Sequence, residues 1–169
     1  MPAGNDVQQL LNQICSDSSV PTVASLLQIL RKRRVSFLRT SGALGTNTDD
    51  AMANTTTAEQ QLFYTSVAIT ITAFAYIPNG TITADAANQV TFTLSKRTAA
   101  GASLTTLATI TSNLALGNLA AGQPAVGTLS ATTTDLQVAA GSSIGITTTK
   151  PGTGVVARAG SFVIEYTED

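Results

Sequence analysis

A change in the spacing of apolar residues divides the chain into two parts. In the first 30 residues apolar side chains recur every three or four positions, which is the spacing of one helical face. From residue 67 onward they recur at every second position, which is the spacing of a β-strand. The pattern predicts a mainly β protein with a short α-helical arm ahead of its strands.

The arm contains two short amphipathic runs. The apolar residues of the first run are Val7, Leu10, Leu11 and Ile14, and those of the second are Val23, Leu26, Leu27 and Leu30. Asp6 and Thr22 are suitable N-caps for the two predicted helices, and the basic residues Arg31, Lys32, Arg33 and Arg34 place positive charge where the dipole of the second helix favours it. Helices of this length are marginal alone, so each needs a partner surface.

A polar stretch separates the arm from the strands. Residues 40–60 are mostly Gly, Thr, Asn, Asp and Ala, which is the composition of a linker. The sequence therefore predicts a helical arm over 1–39, a flexible linker over 40–60 and a β-sandwich over 61–169.

The sandwich is predicted from strands separated by turn signals about every ten residues. The longest strand runs from Val67 to Ile77 and is closed by Pro78–Asn79–Gly80. The further strands are Val90 to Leu94, Leu107 to Thr111, Val126 to Leu129, Leu136 to Val138, Ile144 to Thr148, and Phe162 to Tyr166. The stretch from 99 to 125 lacks a strict period and is interpreted as loops around short strands. An antiparallel sandwich fits this pattern, with a jelly-roll or an immunoglobulin-like topology.

Composition points to a neutral polar surface. Charged residues make up 11% of the chain, against about 25% in typical soluble proteins, and threonine supplies polar strand positions without charge. The small net charge of −1 hides an asymmetry: residues 1–40 contain five basic and two acidic residues, and the remainder contains four and eight. A surface with so little self-repulsion suits a protein that works within an assembly.

The residue inventory argues against an enzyme. The absence of histidine excludes Ser-His-Asp and Cys-His catalysis and the commonest zinc ligand, and the single Cys15, interpreted as a small buried hydrophobe, excludes an intramolecular disulfide. The adjacent carboxylates Asp49–Asp50 and Glu168–Asp169 fall in the linker and at the chain end, where rigid positioning is poor. Gly152–Thr153–Gly154 is interpreted as a turn because the P-loop pattern is absent. We therefore predict no catalytic residue, cofactor or metal.

The basic cluster at 31–34 is the sharpest charge feature. Four adjacent cations could bind phosphate, but aromatic stacking residues are scarce and the body is acidic, so an acidic protein surface or solvent is favoured over nucleic acid.

The N-terminus lacks the features of a signal peptide, and no apolar run of 18 residues occurs. We therefore expect synthesis in a cytoplasm and no membrane insertion.

Residues 66–167, about 60% of the chain, resemble the capsid decoration (cement) proteins of tailed phages. The resemblance is carried by the order and spacing of five segments: Ile71 to Pro78, Asn88 to Leu94, Leu136 to Gly141, Gly152 to Gly154, and Phe162 to Tyr166. Family members often have Gly-Asp at the turn after the third segment. Here Ser142 follows Gly141, so any contact of that aspartate is not carried over.

The resemblance implies a structural virion protein on the capsid exterior, which stabilises joints between major capsid subunits, commonly as a trimer. We expect the helical arm to dock apolar residues in grooves of neighbouring subunits. The candidate capsid-binding residues are Leu26, Leu27, Leu30, Arg31, Lys32, Arg33 and Arg34. The alternative is a fibre module that binds a receptor or glycan, a function for which the chain offers no Trp and three Tyr.

Overall fold

The computed structural model describes residues 32–39, 57–98, 104–150 and 157–169. Nearly all of its regular structure is strand. The ten strands are β1 (Lys32–Arg39), β2 (Thr57–Tyr64), β3 (Ile69–Pro78), β4 (Thr91–Arg97), β5 (Leu104–Thr111), β6 (Ala125–Val126), β7 (Thr128–Leu129), β8 (Gln137–Val138), β9 (Ser143–Thr149) and β10 (Gly160–Glu168). A single helical turn, α1 (Thr133–Leu136), precedes β8.

The strands form antiparallel pairs that nest within one another along the chain. The innermost pair is β4 with β5; β3 pairs with β6 and β8, β2 with β9, and β1 with β10. Successive pairs lie in alternate sheets. In the first sheet β10 also pairs with β3, and in the second sheet β9 also pairs with β4. The first sheet has the order β1-β10-β3-β6, with β8 also on β3, and the second has the order β2-β9-β4-β5-β7.

This connectivity is that of a jelly roll, in which a long antiparallel hairpin is rolled into two facing sheets. The prediction of a mainly β protein with an antiparallel sandwich is confirmed, and the structure selects the jelly roll over the immunoglobulin-like topology. Facing sheets bury side chains from both inner surfaces, and here they enclose four aromatic rings. Phe162 lies 6.0 Å from Phe74, 4.8 Å from Tyr76 and 5.4 Å from Phe92 between ring centroids.

A β-bulge in β3 decides which residues join that core. Glu165 of β10 pairs with Ala73 of β3, and the next residue, Tyr166, pairs with Ile71. Thr72 of β3 therefore has no pairing partner on β10. The extra residue reverses the alternation of the strand. Ile69 and Ile71, which precede the bulge, are buried. An unbroken period of two would place Ala73, Ala75 and Ile77 on the same buried face. In the structure, Phe74 and Tyr76 are the fully buried residues after the bulge.

Gly127 lets the chain cross from one sheet to the other. Its neighbours Ala125–Val126 pair with β3 in the first sheet, and Thr128–Leu129 pair with β5 in the second. The Gly127 amide donates a hydrogen bond to the Phe74 carbonyl at 2.8 Å. A Cβ at this position would lie 2.7 Å from the Phe74 ring, so only glycine fits the corner without displacing the core.

Two stretches correct the division of the chain predicted from sequence. Lys32–Arg39, assigned to the helical arm, is a strand that pairs in full with β10, and Thr57–Gln60, assigned to the linker, belongs to β2. Val35 and Phe37 of β1 pack against the core, and the Phe37 and Phe63 rings stack at 5.4 Å. The sandwich therefore includes residues ahead of 61. The remainder of the predicted arm and linker lies outside the described residues.

We expect a chain that begins at residue 57 to be less stable than one that begins at residue 32. The shorter chain lacks β1 and uncovers the edge of β10. Val35 and Phe37 are half-buried, and full burial of such side chains contributes about 1.5–3 kcal/mol each, so the free energy of unfolding should fall by about 2 kcal/mol. Urea denaturation of both chains measures the difference. Equal stabilities would contradict the assignment of β1 to the sandwich.

Candidate docking surfaces

The basic cluster lies partly on β1 and faces acidic residues of the same chain. Lys32 Nζ is 3.2 Å from Glu165 Oε2, and Arg33 Nε is 3.3 Å from Glu168 Oε1. Arg34, which is exposed, lies opposite Glu165 in the pairing of β1 with β10. Lys32, Arg33 and Arg34 therefore belong to a strand, and their predicted position at the end of a helix is wrong. The acidic protein surface that these cations meet is the chain's own β10.

These ion pairs position the edge strand and contribute little energy. Lys32 is 58% exposed and Arg33 49% exposed, and ion pairs at such sites are worth about 0–1 kcal/mol. The other candidate capsid-binding residues, Leu26, Leu27, Leu30 and Arg31, lie outside the described residues.

The carboxylate pair at the chain end is used in structural contacts. Glu168 pairs with Arg33, and Asp169 accepts a hydrogen bond from Thr70 Oγ1 at 3.0 Å. Within the described ranges, no group of three or more Cys, Asp or Glu side chains is arranged to hold a metal ion. Asp49–Asp50, Cys15 and Gly152–Thr153–Gly154 lie outside those ranges.

A second ion pair crosses the outer face of the second sheet. Arg97 of β4 donates to Glu59 of β2 through Nη2 at 2.7 Å and Nε at 3.0 Å, reaching over the intervening strand β9. The hydrogen bond from Arg97 lowers the pKa of Glu59 below its usual value, so this carboxylate is ionised at neutral pH. A carboxylate held in this way suits a structural role better than proton transfer.

Lys96 closes one end of the sandwich. Its ammonium group donates hydrogen bonds to the carbonyls of Thr134, Asp135 and Gln137, at 3.2 Å, 2.6 Å and 2.5 Å. These carbonyls lie in the last turn of α1 and at the start of β8, where a cation is favoured. Burial lowers the pKa of Lys96, and the negative charge of Asp135 partly opposes this shift. The contacts fix the loop that carries α1.

An open groove lies at the other end of the second sheet, and we call it the β5–β7 groove. Its lining includes Thr109, Thr111, Thr128, Ala115, Leu116 and Val126, around a volume of about 320 Å³. Leu116 is 47% exposed and Val126 is 66% exposed, and the adjacent Leu114 is 68% exposed. Clustered exposed apolar side chains are a common feature of interaction sites.

The turn that carries the two leucines is held by its own hydrogen bonds. Asn113 Oδ1 accepts from the Leu116 amide at 2.8 Å, and the Asn113 carbonyl accepts from the Gly117 amide at 2.9 Å. Gly117 has a φ of 80°, which glycine adopts without strain. The turn thus holds its leucines at the surface. Sequence reasoning missed this groove, and the available signal was the pair of leucines, Leu114 and Leu116, in a segment with no period.

Tyr64 and Leu104 are exposed apolar side chains at the opposite end of the same sheet, and Val67 is exposed in the loop that follows β2. Tyr64 is 67% exposed, Leu104 is 49% exposed and Val67 is 47% exposed. Tyr64 and Leu104 belong to one row across the sheet, which runs through Ser143 and Arg97.

No helix among the described residues is long and apolar enough to cross a membrane. Comparison of the chain with protein-family models and with curated proteins finds no match in either.

Proposed function

We propose that the chain is a structural virion protein, a capsid decoration or cement protein that binds the outside of a phage head and stabilises contacts between major capsid subunits. The observation that carries the proposal is the jelly roll together with the uncharged β5–β7 groove and its exposed Leu116 and Val126. Jelly rolls recur in viral capsid and lectin domains, but a fold by itself does not define a function. The site must therefore supply the rest of the argument.

The segments that carry the resemblance to decoration proteins support the proposal through their placement. Ile71 to Pro78 lies in β3, Leu136 to Gly141 contains β8, and Phe162 to Tyr166 lies in β10. These three strands are neighbours in the first sheet. Three of the five segments therefore lie side by side in the first sheet, whereas Asn88 to Leu94 overlaps β4 of the second sheet and Gly152 to Gly154 lies outside the described residues.

The surface chemistry also favours docking over catalysis. Charged residues are few, and the described ion pairs join strands of the same chain. The groove offers threonine and aliphatic side chains, which can bury apolar groups of a protein partner. A protein that coats an assembled shell needs such contacts, repeated by symmetry so that their weak affinities add through avidity.

A fibre module that binds a receptor or glycan is the second candidate, since lectins share the jelly roll. Glycan recognition uses exposed aromatic rings. Among the described residues Tyr64 is the exposed aromatic side chain, whereas Tyr76 is fully buried and Tyr166 is half-buried. One exposed ring gives weaker support to this candidate than the groove gives to protein docking.

We expect the purified chain to bind saturably to phage heads assembled without it, as measured by co-sedimentation. Replacing Leu26, Leu27 and Leu30 together by Ser should weaken this binding at least a hundredfold, because burial of each leucine contributes about 1.5–3 kcal/mol. Replacing Arg31, Lys32, Arg33 and Arg34 by Gln should weaken it less, since an exposed ion pair contributes about 1 kcal/mol or less.

The same protein is then offered to host cells and to immobilised glycans. Binding there without binding to heads would replace the decoration function by the receptor-binding alternative. A steep salt dependence that disappears in the glutamine variant would favour electrostatic docking or nucleic acid.

A further inference from the structure

We propose that β1 of one copy of the chain pairs with β10 of a second copy, so that two copies are joined by exchange of this strand. The binding site is the edge of β10 that β1 covers, together with the Phe63 and Tyr166 rings beside it, and the ligand is Lys32–Arg39 of the other copy. The inference goes beyond the proposed function, because it concerns contacts between copies and does not depend on a phage head.

The described contacts of β1 are all with residues far from it in the chain. β1 is the outermost strand of the first sheet, and its eight residues pair with β10. Two ion pairs also join β1 to β10, and Phe37 stacks on Phe63 at 5.4 Å. Each of these contacts forms equally well whichever copy supplies the strand. A closed chain and an exchanged pair therefore share the same interface, which is the condition for domain swapping.

The connection between β1 and β2 is much longer than the gap that it crosses. Arg39 lies in the row of Pro78, and Thr57 lies in the row of Thr91. The connection from β3 to β4 joins those two rows, so β1 ends and β2 begins at the same end of the sandwich. Facing sheets lie about 10 Å apart, and about four extended residues would span that gap. Residues 40–56 reach about 55 Å when extended, which is enough to enter a neighbouring sandwich.

The length of this connection also weakens the preference of a chain for its own strand. The effective concentration of a tethered segment falls roughly as the −3/2 power of the tether length once the tether exceeds the gap. A fourfold longer tether than the gap requires therefore lowers that concentration about eightfold. A second copy thus competes for β10 at a lower concentration than it would if a direct turn joined β1 to β2.

The charges on the two strands select β10 as the partner of β1. β1 begins with three cations at positions 32–34, whereas Glu165, Glu168 and Asp169 lie at the end of the chain. Opposite charges on two surfaces speed their encounter and fix the register in which they pair. Pairing of β1 with β1 of a second copy would instead place six cations together, and charge on an edge strand is a known barrier to such self-pairing.

Disulfide trapping in the full chain tests the proposal. Ser36 and Val163 lie directly opposite each other in the pairing of β1 with β10, at a spacing that a disulfide can bridge. The double variant Ser36→Cys with Val163→Cys, which also carries Cys15→Ser, is refolded from urea at high protein concentration and oxidised. We expect its bridge to form between chains, so that most of the oxidised protein migrates at twice the mass of the chain or more on a denaturing gel without reductant.

A control changes the register and keeps the chemistry. Ser161 lies on β10 two residues from Val163, so its diagonal distance from Ser36 is too long for a disulfide. The variant Ser36→Cys with Ser161→Cys should form at least about tenfold less bridged product. Lys32→Cys with Thr167→Cys, which also lie opposite each other, is the second pair if Val163→Cys does not fold, as judged by circular dichroism.

Mixing separates exchange from chance oxidation. The single variants Ser36→Cys and Val163→Cys, refolded together, should give a bridged heterodimer, and each refolded alone should give at least about tenfold less dimer. A double variant that bridges only within one chain, or that forms no bridge, would overturn the proposal, and so would a mixture without the heterodimer. Because no heads are present, these results are independent of whether the protein binds heads.

Discussion

Replacing Gly160 by Ala is expected to destabilise the sandwich more than any other single methyl group added at a described glycine. Gly160 begins β10 opposite Pro78, and a Cβ there would overlap the Ile77 carbonyl oxygen and lie 2.7 Å from the Tyr76 hydroxyl. The Tyr76 hydroxyl donates a hydrogen bond to the Arg158 carbonyl. Displacing Tyr76 breaks this bond and disturbs the ring packing around it.

The expected loss in the free energy of unfolding is about 3–5 kcal/mol, since overpacking costs about 1–3 kcal/mol and loss of a partner for a buried polar group costs a similar amount. Urea denaturation followed by circular dichroism measures the loss. Gly80→Ala is the control, because a Cβ at Gly80 would meet only the flexible side chain of Arg158, at 3.2 Å. A stability of Gly160→Ala equal to that of this control would show that β10 and β3 lie farther apart than described here.

Replacing Phe162 by Ala is expected to cost about 3–5 kcal/mol, which is the usual range for a fully buried phenylalanine. The Phe162 side chain is completely buried and lies within 6.0 Å of three other aromatic rings. Its removal leaves a cavity between the two sheets that the neighbouring rings cannot fill. Against a typical total stability of about 5–15 kcal/mol, this variant should be close to unfolding at 37 °C.

Phe37→Ala provides the comparison for Phe162→Ala. Phe37 is half-buried on the edge strand β1 and stacks on Phe63 alone among the described rings. We expect it to lose roughly half as much stability, since less area returns to water. Thermal denaturation of both variants orders them. The ranking would be contradicted if Phe37→Ala were the less stable of the two.

The central strands could be predicted from sequence because their burial follows directly from local alternation. In β10, Phe162 and Ile164 are fully buried, and in β4, Phe92 and Leu94 are fully buried, as a period of two requires. β3 shows the limit of this reasoning. The bulge at Thr72 depends on the pairing with β10, and a pairing between distant strands leaves no local trace in the sequence.

The edge strands were harder to recognise. β1 has only Val35 and Phe37 in alternation after three basic residues, and it follows directly on a strong helical pattern, which was therefore extended too far. In β2 the adjacent Leu62 and Phe63 break the alternation, because the pairing with β9 shifts between Gln61 and Phe63. An edge strand pairs with a neighbour on one side only and buries fewer apolar residues, so its alternating pattern in the sequence is weaker.

The candidate site was predicted only in part. The leucine stripe predicted from helical spacing lies outside the described residues. The groove could not be predicted, because it requires a loop, a corner and a strand edge to meet, and Leu116 and Val126 are separated by ten positions of chain. The basic cluster was conspicuous by charge alone. Its acidic partners, Glu165 and Glu168, lie at the far end of the sequence and become neighbours only through the pairing of β1 with β10.

The nested order of strand pairs also sets the order in which the molecule can be built. The innermost hairpin, β4 with β5, joins segments that are adjacent in the chain, whereas β1 must wait for β10, which the ribosome makes after every other described strand. Because β10 lies between β1 and β3, the first sheet lacks a central strand until β10 has been synthesised. Closing such distant contacts is slow. During synthesis the nascent chain therefore exposes the edge of β3 that pairs with β10, together with an aromatic cluster that lacks Phe162. Exposed strand edges and apolar surface of this kind favour aggregation.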